Sequence, residues 1–192
     1  MANPDRPMGF RFAKTLNGSP VSAMIRKYEA ADRSADTTGN HGDIYVGDPV
    51  ALSSGKVVVA NSGDTILGIA VGTGDSSVMT HGEADYFDAG DLSKRYLAYD
   101  ETGHVAVIPA EGNLFEVQTA ADLDLVIGAA ADISSAAATA HGSRVTGLSS
   151  VELVASVNAD VKVVEHVSAI DNDVTLANAR HIVMFTTTTN AQ

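Results

Sequence analysis

"DIYVGDPVALSSGKVVVANSGDTILGIAVGTG", Asp43 to Gly74, decides how this chain is read. Its apolar residues recur at every second position, the period of a strand and not of a helix. Ile44, Val46, Val50 and Leu52 fall on one face, interrupted by Asp48-Pro49, where a ladder hydrogen bond cannot form. "KVVVA" follows after Ser53-Ser54-Gly55, and "TILGIAVG" groups Leu67, Ile69 and Val71. Between these runs a Gly-Asp pair recurs, at Gly47-Asp48-Pro49 and Gly63-Asp64-Thr65. Both pairs read as strand-bending corners. Glycine takes the φ that other residues resist, and aspartate can bond its own backbone two residues on.

Outward from this stretch the same pattern continues. In "RYLAYDETGHVAVIPA", Leu97/Tyr99 and Val105/Val107 flank the turn residues Asp100 to Gly103, which predicts a hairpin. "NLFEVQT", "VELVAS", "VKVVEHVSAI" and "ARHIVMFTTTT" are four more strand candidates, rich in β-branched residues. The spacing around Thr119 to Asp122 suits a short helical turn through Ile127, ended by Gly128. Residues 128–143 are low in complexity and read as a loop or an edge strand flanking a turn, and Thr186 to Gln192 read as a frayed tail. The expectation is an all-β fold, a small β-barrel or sandwich meander with at most one short helix. It is open to division into two β subdomains, 25–110 and 111–192, behind an extended N-terminal arm, 1–24.

Composition narrows the function classes. A chain of 192 residues can bury a core without staples, and with no cysteine it has neither disulfides nor thiol chemistry. Twenty-four acids against twelve bases give a net charge of −12, so its surface repels phosphate backbones, which argues against a nucleic-acid partner. The apolar runs are too short for a membrane helix, and the charged start lacks the apolar core of a signal peptide. The reading is a soluble chain with no membrane partner, neither processed nor secreted.

The arm differs in character from the strand-rich remainder. Pro4, Pro7 and Pro20 fix φ, while Arg6, Arg11 and Lys14 sit beside Phe10 and Phe12. Two readings stand: a terminal strand packed on its own domain, or a tether lying on a partner. For the tether, Pro4 and Pro7 lower the entropy lost on ordering, Arg6 and Arg11 suit carboxylates, and Phe10 and Phe12 can anchor in pockets, with Asp5 between them.

Candidates for chemistry are weak. His41, His81 and His141 each precede a glycine, but no two of the six histidines stand at a metal-ligand spacing. His104 stands across a turn from Asp100 and reads as its hydrogen-bond partner. Ser149-Ser150 lacks a nucleophile elbow, and "GTGDSS", Gly72 to Ser77, lacks the lysine of a phosphate loop. Glu83/Asp85 and Asp171/Asp173 read as solvated acidic turns without the ligand spacing of a calcium loop. No catalytic residue, metal site or cofactor site is assigned.

The order "NPDRPMGF…TLNGSP", "DIYVGDPVAL…GKVVVA…GDTILGIAVG" and "LFEVQT…IGAAADI…TGLSSVEL…VKVVEHVSAIDNDVTLANARHIVMF" is similar to head decoration (cement) proteins of tailed bacteriophages. The likeness spans nearly the whole chain; the Ala-rich stretch 136–140 and the Thr-rich tail depart from it. It implies a protein without an active site, bound to the major capsid protein on the outer surface of the virion and stabilising the shell against packaged DNA. Matching symmetric shell positions calls for closed rings, a homotrimer at local threefolds or, alternatively, a dimer at twofolds. The arm residues Pro4, Asp5, Arg6, Pro7, Phe10, Arg11 and Phe12 are then the capsid contacts. A virion- or cell-surface adhesion module, binding a receptor or glycan, is the alternative class.

Overall fold

The two Gly-Asp corners adopt one and the same turn. Gly47 and Gly63 take φ of 97° and 89°, the left-handed value that a type II turn needs at its third position. Asp48 N–H donates to the Tyr45 carbonyl at 3.2 Å and Asp64 N–H to that of Asn61 at 3.1 Å. Each aspartate carboxylate then accepts the N–H of the residue that opens the turn, from Tyr45 at 2.7 Å and from Asn61 at 2.8 Å. The side chain therefore reaches three residues back and not two ahead, closing the corner twice.

A computed structural model describes residues 2–18, 25–33, 42–75, 96–134 and 140–189. Among these residues it is all-β, with antiparallel sheets and no helix, the architecture of a β sandwich. One sheet has five strands: β2 (Arg26–Glu29), β8 (Gly103–Pro109), β6 (Ile66–Asp75), β4 (Pro49–Ser53) and β5 (Lys56–Val59), in that spatial order. The other has six: β1 (Arg11–Thr15), β9 (Asn113–Gln118), β13 (Arg180–Phe185), β12 (Val161–His166), β10 (Ala130–Ile133) and β11 (Leu153–Val154). A small third sheet pairs β3 (Ile44–Tyr45) with β7 (Tyr96–Leu97).

Both large sheets curl until distant strands touch, yet none closes into a barrel. In the five-stranded sheet a single parallel bridge, Ala30↔Val57, brings the two edges together, seconded by the Lys56–Glu29 ion pair. In the six-stranded sheet the bridge Thr119↔Leu153 brings β11 round to the residue after β9. One apolar cluster fills the space between, joining Val50, Ile69 and Val107 from one sheet to Phe115, Val161 and Val183 from the other. The open edge is β1, where a bulge between Phe12 and Lys14, with exposed Arg11 and Lys14, disfavours pairing with a stray strand.

Five local expectations are corrected. The hairpin at 96–109 does not form: β7 pairs with β3, whereas β8 lies between β2 and β6, because the long β6 offers it a full ladder. His104 accordingly stands opposite Glu29 and Gly74 instead of bonding Asp100, and its Nδ1 is buried without a partner. Residues 119–128 form no helical turn; Thr119 Oγ1 accepts the Ala179 N–H, and Gly128 serves a tight turn at φ 90°. The tail is not frayed through Thr189, since Ile66 N–H donates to the Thr187 carbonyl and Thr189 N–H to that of Ile66. Leu52 also leaves the buried face, exposed beyond a bulge between Val50 and Ala51.

Within the six-stranded sheet His166 and His181 face each other across β12 and β13, Nδ1 to Nδ1 at 3.0 Å. His181 has no solvent exposure, its Nε2 has no partner, and burial together with the His166 charge pushes its pKa down to about 4. The unfolded chain, with histidine near pH 6.5, takes up this proton first as pH falls. The contribution to stability is therefore complete above about pH 6.5 and lost progressively toward pH 4, by about 3 kcal/mol in all. Denaturant unfolding between pH 7 and pH 4 is expected to show this slope, and His181→Phe to flatten it; identical slopes in the two proteins would refute the assignment.

Candidate functional site

The seven arm residues singled out in the sequence lie on the chain's own second sheet. Asn3 begins the docking: its amide donates to the Asp173 and Ala177 carbonyls and its carbonyl accepts the Asp173 N–H at 2.7 Å. Arg6 N–H donates to Gln118 Oε1 at 3.0 Å, and Gln118 Nε2 in turn donates to Asp5 and to Glu152. Burial raises the pKa of Glu152, the charge of Asp5 adds to the rise, and the Gln118 bond opposes it. The Arg6 guanidinium pairs with Asp171 at 2.9 Å. Gly9, at φ 61°, lies so close to the first corner that a Cβ would stand 2.5 Å from the Gly47 carbonyl oxygen. Phe10 N–H donates to that same oxygen.

The phenyl rings settle the course of the arm. Phe10 is buried, 5.1 Å from Phe185, and Phe12 meets Phe115 edge-on at 6.4 Å. The arm is extended, and Phe10 and Phe12 pack against the chain's own core, as the first of the two readings has it. Pro4 is half-buried, and Asp5, Arg6, Pro7 and Arg11 keep an exposed rim. Arg11 reaches back to Met8 Sδ at 3.7 Å.

A second polar constellation was not singled out in the sequence. The carboxylate of Asp43, with no exposed surface, accepts four hydrogen bonds: the Tyr45 hydroxyl at 2.8 Å, the Tyr99 N–H at 3.0 Å, and Arg144 Nε and Nη2 at 2.7 and 3.1 Å. Arg144 also lies over the Tyr96 ring, which stacks on Tyr45. Burial drives the Tyr45 phenol well above its ordinary pKa, and the Asp43 bond adds to this. The same carboxylate holds the Arg144 guanidinium firmly protonated. Beside it, Asp48 Oδ2 meets His141 Nε2 at 3.1 Å, with both residues buried. Arg33 donates to the Ala98 carbonyl, and burial lowers its pKa against the opposing pull of Asp43. With all four acceptor sites of Asp43 engaged, the group acts as a tie between segments.

The remaining candidates disperse. His41, His81 and Glu83/Asp85 lie outside the described residues, as do Ser76 and Ser77 of "GTGDSS", whose Gly72 to Asp75 end β6. Ser149 is buried with its Oγ accepting the Val151 N–H. Asp171 pairs with Arg6 and Arg180, while Asp173 holds Thr175. No group of three His, Cys, Asp or Glu among the described residues could hold a metal ion. Comparison of the chain with protein-family models, curated proteins and solved structures returns no match.

Stability measurements test both placements. Arg144→Ala strands the Asp43 charge in the interior and is expected to cost about 3–5 kcal/mol in denaturant unfolding, whereas Asp43→Asn paired with Arg144→Met costs markedly less. Deleting residues 1–11 removes Phe10 from the core and Arg11 from the start of β1, and Phe10→Ala alone is expected to cost about 3–5 kcal/mol. An unchanged melting point in the truncated chain would overturn this placement of the arm.

Proposed function

We propose that this protein is a structural virion protein that decorates and stabilises the outer surface of a bacteriophage capsid shell. The observation that carries the reading is the ordered series of motifs resembling cement proteins, which runs from the arm to Phe185. Two further properties support it. A net charge of −12 keeps decorated particles apart in solution. Interior polar groups tie loops to sheets, as Asp43 does, giving a stiff body suited to bearing load. In this reading the major capsid protein is the partner, the assembly is a homotrimer at local threefolds, and the exposed rim of the arm, Asp5, Arg6, Pro7 and Arg11, contributes to the shell contact.

Stoichiometry tests it. On a gel of purified particles the chain is expected in copy number comparable to the capsid protein; a few copies per particle would replace this reading with the adhesion module. In a particle reconstruction, density over local threefolds is expected, and density confined to twofolds would substitute a dimer for the trimer.

A further inference from the structure

Two strandless loops of the second half meet at one end of the six-stranded sheet. The first, 119–129, runs into β10, where Gly128 N–H donates to the Val163 carbonyl and Val163 N–H to that of Ala129. The antiparallel register Ala130↔Lys162 therefore carries Val126 and Ile127 alongside the C-terminal end of β12. The second loop, 167–179, leaves that same end, tied where Val167 N–H donates to the Arg180 carbonyl. Large aliphatic groups crowd this end in the open: Val126 is 65% exposed, Ile127 63% and Ile170 108%.

The loops are built to hold these side chains out. Asn172 donates to the Val167 and Arg180 carbonyls and accepts the Arg180 N–H, so Ile170 rides on a stapled turn. Asp124 takes a φ of 43° just before Leu125, which packs partly against the core, leaving Val126 and Ile127 on the far side of a fixed bend. A pre-ordered apolar tip loses little entropy on binding, which marks it as a contact anchor. The charges around it include outward-facing acids: Arg6 and Arg180 are balanced by Asp171 and Glu116, the Lys162 side chain lies beside Gly128, and the exposed Asp122 and Asp124 have no ion-pair partner among the described residues.

We infer that this loop end, Val126, Ile127 and Ile170 within the rim of Asp122 and Asp124, is the face that docks on the shell, against an apolar protein surface rimmed by basic residues. The inference rests on the decoration reading and names its contact surface. Charge selects the occupant: a second copy of a chain carrying −12 would set acid against acid here, and a nucleic acid or anionic membrane would be repelled. The start of the arm belongs to the same end, since Asn3 is held by Asp173 and Ala177.

The test uses the full chain and shells purified without it, with binding measured by co-sedimentation. The triple variant Val126→Ser/Ile127→Ser/Ile170→Ser is expected to melt like the wild type and to bind about a hundredfold more weakly. Val157→Ser, on an equally exposed tip at the opposite end of β12, is expected to bind normally. Asp122→Asn/Asp124→Asn is expected to slow association and flatten its salt dependence. Wild-type affinity in the triple variant would overturn this face while leaving the decoration reading intact. Failure of the wild type to bind shells would overturn the decoration reading, and with it the shell as occupant. A triple variant that loses binding and also shifts from oligomer to monomer on gel filtration would assign the face to a second copy, overturning the inference.

Discussion

A carboxylate that accepts main-chain N–H groups is the interaction on which the rest of this molecule depends. Sheets that curl and then turn back leave N–H groups at their corners with no strand to receive them, and burying such a group without an acceptor is costly. Here aspartate supplies the acceptor. Asp132 takes the N–H groups of Val157, Asn158 and Ala159 at 2.7, 2.9 and 2.7 Å, gathering a whole loop around one side chain. Burial raises its pKa, but those backbone bonds outweigh burial and bring it below the ordinary carboxylate value. Asp160 receives Gly63 N–H with one oxygen and Ile133 N–H with the other, so a single carboxylate links the second corner to β10. Asp43, Asp48 and Asp64 do the same in the first half.

This role changes what the composition means. A net charge of −12 reads naturally as an acidic surface, yet Asp43, Asp48, Asp132 and Asp160 are buried, held by amides or by Arg144 and His141, with Asp48 Oδ1 left without a partner. The acids divide into an internal set that shapes loops and an external set, such as Asp122 and Asp124, that sets the field a partner meets.

What was legible in the sequence is what local physics determines. The alternation in 43–74 gives β4, β5 and β6, the two glycines give their corners, and the β-branched runs give β9, β12 and β13. What was not legible is partner choice. Leu97 and Val105 flank a good turn, but β8 is claimed by β2 and β6, which lie far from that turn in sequence. The arm's aromatic residues suit a neighbour's pocket as well as their own core; only the position of Phe185, at the far end of the chain, decides between them. The Asp43–Arg144 pair joins residues 101 positions apart, and no spacing rule reaches that far. A weak signal existed in Arg144 close behind His141, since both turn out to serve the same buried cluster.

The tie between Ile66 and the Thr187–Thr189 segment bears on how the chain comes to be folded as it is made. Synthesis delivers Phe10 well before Phe185, on which its ring rests, and Asn3 well before Asp173 and Ala177, which hold it. Ile66, at the start of the long β6, likewise waits for its hydrogen bonds until that same late segment appears. Until residues 173–189 are made, a growing chain therefore carries an undocked aromatic stretch around Phe10 and an incompletely bonded β6. Loop-closure entropy makes such closures slow. The late step that pins the two ends of the described chain is also the step at which a nascent molecule is most exposed to pairing with a neighbour instead of with itself.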